Sequence, residues 1–138
     1  MTRLVLDTNV LVSANLNDTG IEAVVVAWAL NRRVQLCVSE ALIEEYQRVL
    51  LYPRLKFVPT EVARFLARLR RVSAVVAPAR TLWVSDDEPD NRFLECAEAA
   101  HAEFVVTGNK RHFPNQWKAT RVVNARELVG LIGASPLR

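Results

Sequence analysis

Short apolar runs alternate along this chain with longer segments in which apolar residues recur every three or four positions. Arg3-Leu4-Val5-Leu6 reads as a buried strand that ends at Asp7. A loop through Asn15, Asn17, Asp18 and Gly20 then leads into an expected helix over 21–31. The β-rich run 34–38 is a second strand, and Ser39 follows it as the N-cap of a helix over 40–51 that Tyr52-Pro53 stops. Pro59-Thr60-Glu61 opens another helix, with Thr60 as its expected cap. Val62, Phe65, Leu66 and Leu69 form its apolar stripe, while Arg64, Arg68 and Arg71 share another face. A weak strand is expected at 74–76, a helix from Pro89-Asp90 to about Ala102, and a buried strand at 104–107. A short strand at 121–123 and a helix over 125–132 close the pattern.

This alternation predicts an α/β fold, a three-layer α/β/α sandwich around a mostly parallel sheet. The 138 residues fit one compact domain, 1–138, without repeat, linker or low-complexity segment. Right-handed crossovers place every strand's carboxyl end on one edge, where such sheets bind ligands. Candidate chemistry is therefore sought directly after each strand.

Asp7 stands just behind the first strand. In the helix that follows the second strand, Leu42, Tyr46, Val49 and Leu50 define the inward stripe, and Glu45 falls on it, three after Leu42 and four before Val49; the plainer alternative is a partly exposed border position. Glu44 lies with Glu40, Gln47 and Arg48 on the wetter side, so Glu45 is the better candidate. Asp90 leads the helix after Asp86-Asp87-Glu88-Pro89, where crowded acids would gain from a divalent cation. Acids also suit a first helical turn for dipole reasons alone. Asn109 occupies the loop after 104–107, with Lys110 and Arg111 adding positive charge beside it. His112 is a further candidate base, although an isolated surface histidine is more often inert. Carboxylates gathered from separate strand ends suit hard cations such as Mg²⁺ or Mn²⁺.

Composition refines this picture at few points. The formal net charge is only +3, but eight basic residues against one acid lie between Tyr46 and Arg80. Such a stretch beside an acidic focus suits a polyanion, and equally a solvated helix face. Cys37 and Cys96 are expected to be buried, reduced thiols. Asp7 comes too early for a signal peptide, and no apolar run approaches the roughly 20 residues of a membrane span. No membrane association is expected, and the cytoplasm is the default location. Walker, dinucleotide, zinc-finger and nucleophile-elbow motifs are missing from the sequence.

Four segments, in order, resemble the PIN-domain family over essentially the whole chain. They are Leu6-Asp7-Thr8-Asn9-Val10-Leu11, Ser39 through Glu45-Tyr46 to Leu50, Asp87-Glu88-Pro89-Asp90-Asn91-Arg92-Phe93-Leu94, and Val106-Thr107-Gly108-Asn109-Lys110. The likeness is to compact bacterial, VapC-like ribonucleases, the toxins of toxin–antitoxin pairs. It implies sheet order 3-2-1-4-5 and a metal-dependent endoribonuclease. Asp7, Glu45 and Asp90 would be the metal-binding acids, with Thr8, Asn9, Asp87 and Thr107 in support. Asn109 stands where many relatives carry a fourth Asp. Arg64, Arg68, Arg71 and Lys110 would contact RNA. A cognate antitoxin and a homodimer are the implied protein partners. Trp28 and Trp117 are candidates for such a surface, though core packing is the expectation for each.

Two rivals stand beside this reading. One is a haloacid dehalogenase-like phosphatase with Asp7 as nucleophile, but that pattern wants a second acid where Asn9 stands. The other is a catalytically weak or inactive PIN-like domain that binds RNA or a partner.

Overall fold

The computed structural model describes residues 1–85 and 88–133. Its elements run β1 (Arg3–Leu6), α1 (Thr8–Leu16), α2 (Ile21–Leu30), β2 (Gln35–Val38), α3 (Glu40–Leu50), α4 (Pro59–Val72) and β3 (Ala74–Val75). Then come α5 (Glu88–Ala100), β4 (Phe104–Val106), β5 (Gln116–Trp117), β6 (Thr120–Val123) and α6 (Ala125–Ile132). Short 3-10 turns lie at Pro53–Leu55 and Lys110–His112.

The sheet order is β3-β2-β1-β4-β6-β5. Its pairs are parallel except β5 with β6, an edge hairpin with Gln116 opposite Arg121. This is the expected α/β architecture, with the two-residue strand β5 added to the expected order. The central strands are buried on both faces, which is why β1 and β4 read as unbroken apolar runs. Helix α5 packs on β1, β2 and β4, while α2 packs against α1, α4 and α6.

Three local expectations are corrected. The segment after Asp7 is not a loop through Asn15: it is helix α1, with Val10, Leu11 and Ala14 buried. Helix α4 begins earlier than Thr60. Val58 is its N-cap and Pro59 sits in the first turn, where proline lacks a donor that the helix would leave orphaned anyway. The strand at 104–107 ends at Val106, so Thr107 already belongs to the edge. Ser39 caps α3 as expected, its hydroxyl accepting from the Leu42 amide at 3.3 Å.

Helices α3 and α4 run antiparallel, because Glu40 at the start of α3 meets Arg70 near the end of α4 at 2.6 Å. Cys37 and Cys96 are both buried and free, and burial pushes the Cys96 thiol up to about 12. Trp28 and Trp117 pack against the core. Among the described residues no single helix is long and apolar enough to cross a membrane.

Candidate active site

Sheet order fixes which strand ends are neighbours: α3 follows β2, Asp7 follows β1, Thr107–Asn109 follow β4, and Asn124 follows β6. Asp7 is therefore central, flanked by the Glu45 helix on one side and by Thr107 on the other. Its amide donates to the Val106 carbonyl at 2.9 Å, continuing the ladder up to the functional residue. Asp7 as a whole is only 7% exposed.

Three contacts hold this centre. The Thr107 hydroxyl, itself fully buried, donates to Asp7 Oδ2 at 2.6 Å and accepts from the Asn109 amide at 3.0 Å. The Thr8 hydroxyl donates to Glu45 Oε2. Tyr46, fully buried, donates its hydroxyl to the Leu6 carbonyl at 2.5 Å and so ties α3 to the end of β1. Burial keeps that phenol protonated well beyond its usual range. These bonds fix Glu45 beside Asp7.

Burial raises the Asp7 carboxyl above its ordinary value, and the nearby charge of Glu45 adds to the shift. The Thr107 hydroxyl and the Thr8 and Asn9 amides offset part of it. A carboxylate made unwilling to ionise by its surroundings is well suited to a positive companion. Glu45 is half-buried and also faces Arg48 across 3.7 Å, whereas Glu44 is exposed, as the helical period separates them.

Asp90 lies buried in the first turn of α5, with its Oδ2 at 3.8 Å from His112 Nδ1. The neighbouring Glu88, Pro89 and Arg92 share a cleft of about 270 Å³ with Glu44, Glu45 and Arg48. The opening of α5 thus faces the Glu45 side of α3. Asp7 and Glu45 are brought within electrostatic reach of each other. Among the described residues, however, no three carboxylate, imidazole or thiol groups form a ready-made metal cage. Asp87, expected in support, lies outside the described residues, as does Asp86.

The donor set still fits the ion that the sequence implies. Mg²⁺ is commonly held by one or two carboxylates, with water and substrate phosphate completing its shell. Asp7, Glu45 and Asp90 offer only oxygen donors, which suits a hard cation and disfavours zinc or copper.

Asn109 is exposed at the mouth of a second, larger cleft, and Asn9 Oδ1 accepts from the Gly108 amide at 3.1 Å on its wall. Lys110 is engaged with Glu127 at 2.9 Å, so part of its charge is already matched within the protein. Arg64, Arg68 and Arg71 are exposed on α4. Among the described residues, no hydrogen bond or ion pair joins them to these carboxylates.

Sequence reasoning missed the scaffold of Asp90. Asn91 is almost fully buried, and its Oδ1 accepts from the Val84 and Ser85 amides at 2.9 and 2.7 Å. Glu95 accepts from the Leu82 amide at 2.8 Å and pairs with Arg92 at 2.7 Å. The signal for Glu95 was present, since an acid five residues beyond Asp90 falls among the inward-facing residues Phe93, Leu94 and Ala97.

A family model for the PIN domain matches residues 3–111. The chain belongs to the PIN-domain family, a superfamily of nucleases. An uncharacterized protein of Methanocaldococcus jannaschii is 29% identical over 111 residues, which cover 78% of this chain and 71% of the relative.

Proposed function

We propose that this protein is a Mg²⁺- or Mn²⁺-dependent endoribonuclease that hydrolyses RNA phosphodiester bonds. The observation behind this reading is the buried Asp7 carboxylate, raised in pKa and held at the sheet edge beside Glu45. Such a group is costly to ionise in isolation and gains from a cation. Asp7 and Asp90 would hold the ion, and Glu45 would support it through water or orient the nucleophile. When bound, the ion lowers the pKa of a water and offsets charge on the phosphoryl oxygens.

The chain's own groups do the rest. Thr107 fixes the Asp7 rotamer, Thr8 fixes Glu45, and Asn109 positions the attacking water or a non-bridging oxygen. The water oxygen bonds to phosphorus as the P–O3′ bond breaks, giving a 3′-hydroxyl and a 5′-phosphate. Arg64, Arg68 and Arg71 follow the RNA backbone, with Lys110 in a lesser role because of its Glu127 pairing.

Defined RNAs incubated with Mg²⁺, Mn²⁺ or EDTA test the proposal. Cleavage should require the cation and leave 5′-phosphates. Asp90→Ala should lower it by about 100-fold or more, beyond the 10–100-fold typical of an outer-shell partner. Cleavage in EDTA, or full activity in Asp90→Ala, would overturn it.

One observation favours a second reading. Asn109 is not an acid, and no three ligand groups are pre-assembled among the described residues. A domain that binds RNA or a protein without cutting would share both features, and would show RNA binding with no Mn²⁺ uptake. A cytoplasmic toxin role, with an antitoxin covering the acidic edge, extends the first reading. A short open reading frame next to the gene is its simplest test.

A further inference from the structure

A cleft of about 490 Å³ lies on the other side of Asp7 from Glu45. It opens where β4 and β6 end, so Thr107 forms its wall on one side and holds Asp7 on the other. Its volume lies within the roughly 300–1,000 Å³ of small-molecule sites. Of its lining, the proposed mechanism uses Thr107, which holds Asp7, and Asn109 at the rim.

We infer that this cleft seats the base of the nucleotide next to the scissile phosphate, and that Glu22 selects guanine there. The inference rests on the ribonuclease reading for the position of that phosphate. Ile21, half-buried at the cleft, gives it an apolar wall against which the face of a base can lie, with the buried Val10 beneath. The polar lining also holds Ser13, Asn109 and Arg126, and it is asymmetric, since the Arg126 guanidinium only donates. Asn9 Oδ1 is taken by the Gly108 amide at 3.1 Å, and Asn124 Oδ1 by the Glu127 amide at 2.8 Å. With one lone pair of each oxygen engaged, the NH₂ groups remain as donors on these two side chains.

Glu22 is the counterpart. Half-buried in the first turn of α2, it lines the same cleft, makes no ion pair among the described residues, and as a carboxylate only accepts. The base that fits must show two adjacent donors to Glu22 and acceptors to the two amides. Guanine does so: its N1–H and N2–H₂ face a carboxylate in pairs, and its O6 and N7 are acceptors. Adenine, cytosine and uracil each lack the paired donors. Sequence-specific readers of single-stranded RNA use such edge contacts to splayed bases.

The test uses RNA oligonucleotides identical except for G, A, C or U at the positions flanking the cleaved bond. The wild-type chain, Glu22→Ala and Glu22→Gln are compared by kcat/KM with Mn²⁺ and by fluorescence anisotropy in EDTA. Thermal melts confirm that each variant is folded. The wild type should favour guanine by about tenfold, the discrimination expected of one good bidentate contact. Glu22→Ala should bring the four substrates within about twofold of one another. Glu22→Gln should move the preference toward adenine, because an amide offers the donor and acceptor that adenine complements. Cleavage without preference at these positions, or a guanine preference that survives both substitutions, would overturn the inference while leaving the nuclease intact. If no RNA is cut, the nuclease reading fails, and base preference in the anisotropy series still decides whether the cleft reads guanine.

Discussion

Replacing Thr107 with valine removes one hydroxyl from a fully buried site and leaves the shape nearly unchanged. Two hydrogen bonds go with it: the 2.6 Å bond to Asp7 Oδ2 and the 3.0 Å bond from the Asn109 amide. A hydrogen bond to a charged group contributes about 1.5–3 kcal/mol and a neutral one about 0.5–1.5 kcal/mol. The expected loss with Asp7 ionised is therefore about 2–4 kcal/mol, or of order 10 °C in Tm for a domain of this size. With Asp7 protonated, both lost bonds are neutral, and the loss falls to about 1–3 kcal/mol.

The pH dependence has a definite sign. The Thr107 hydroxyl lowers the Asp7 pKa, so its removal raises the folded value further above the unfolded one. The folded variant then holds a proton over a wider range than the unfolded chain, and its stability declines as pH rises through that window. Urea unfolding at pH 4 and pH 8, without divalent ions, measures the difference between valine and wild type. A loss that is larger at pH 8 supports the argument. Equal losses at both pH values, or no loss at pH 8, would refute it.

Asp7→Asn should make the metal-free protein more stable than wild type at pH 8, because ionising the buried carboxylate opposes folding as pH rises. The same urea titrations check this, and a less stable variant at pH 8 would contradict it. Tyr46→Phe should cost about 1–3 kcal/mol by leaving the Leu6 carbonyl without its 2.5 Å donor, and should lower cleavage through Glu45. Denaturation and RNA cleavage read the two effects, and a neutral result in both would sink the anchoring role. Replacing Arg64, Arg68 and Arg71 together with alanine should reduce the slope of log affinity against log salt by up to about 2 for single-stranded RNA. An unchanged slope in filter binding would remove α4 from the RNA path.

The strands and the principal site acids were legible because each rests on a local pattern. Buried parallel strands make unbroken apolar runs, the 3.6-residue period separates Glu45 from Glu44, and Ser39 carries its capping chemistry in its type. Helix α1 was not legible. Its sequence Thr8-Asn9-Val10-Leu11-Val12-Ser13-Ala14-Asn15-Leu16 is rich in β-branched and amide residues, which are weak helix formers. Packing between α2 and α3 holds it helical. The cap of α4 was within reach, since Pro59 in the first turn points to Val58. Strand β5 has two residues and no period to read. The cleft holding Glu22 joins α1, α2, the loop after β4 and the start of α6, a juxtaposition that exists only in three dimensions.

Mn²⁺ uptake, measured by calorimetry and by the free-ion EPR signal, addresses the gathering of distant acids most directly. Wild type should bind the ion with proton release that diminishes as pH rises past the Asp7 titration, and Asp7→Asn, Glu45→Gln and Asp90→Asn should each weaken binding about tenfold or more. Wild-type affinity in Asp90→Asn, with the fold intact, would place Asp90 outside the site and contradict the account.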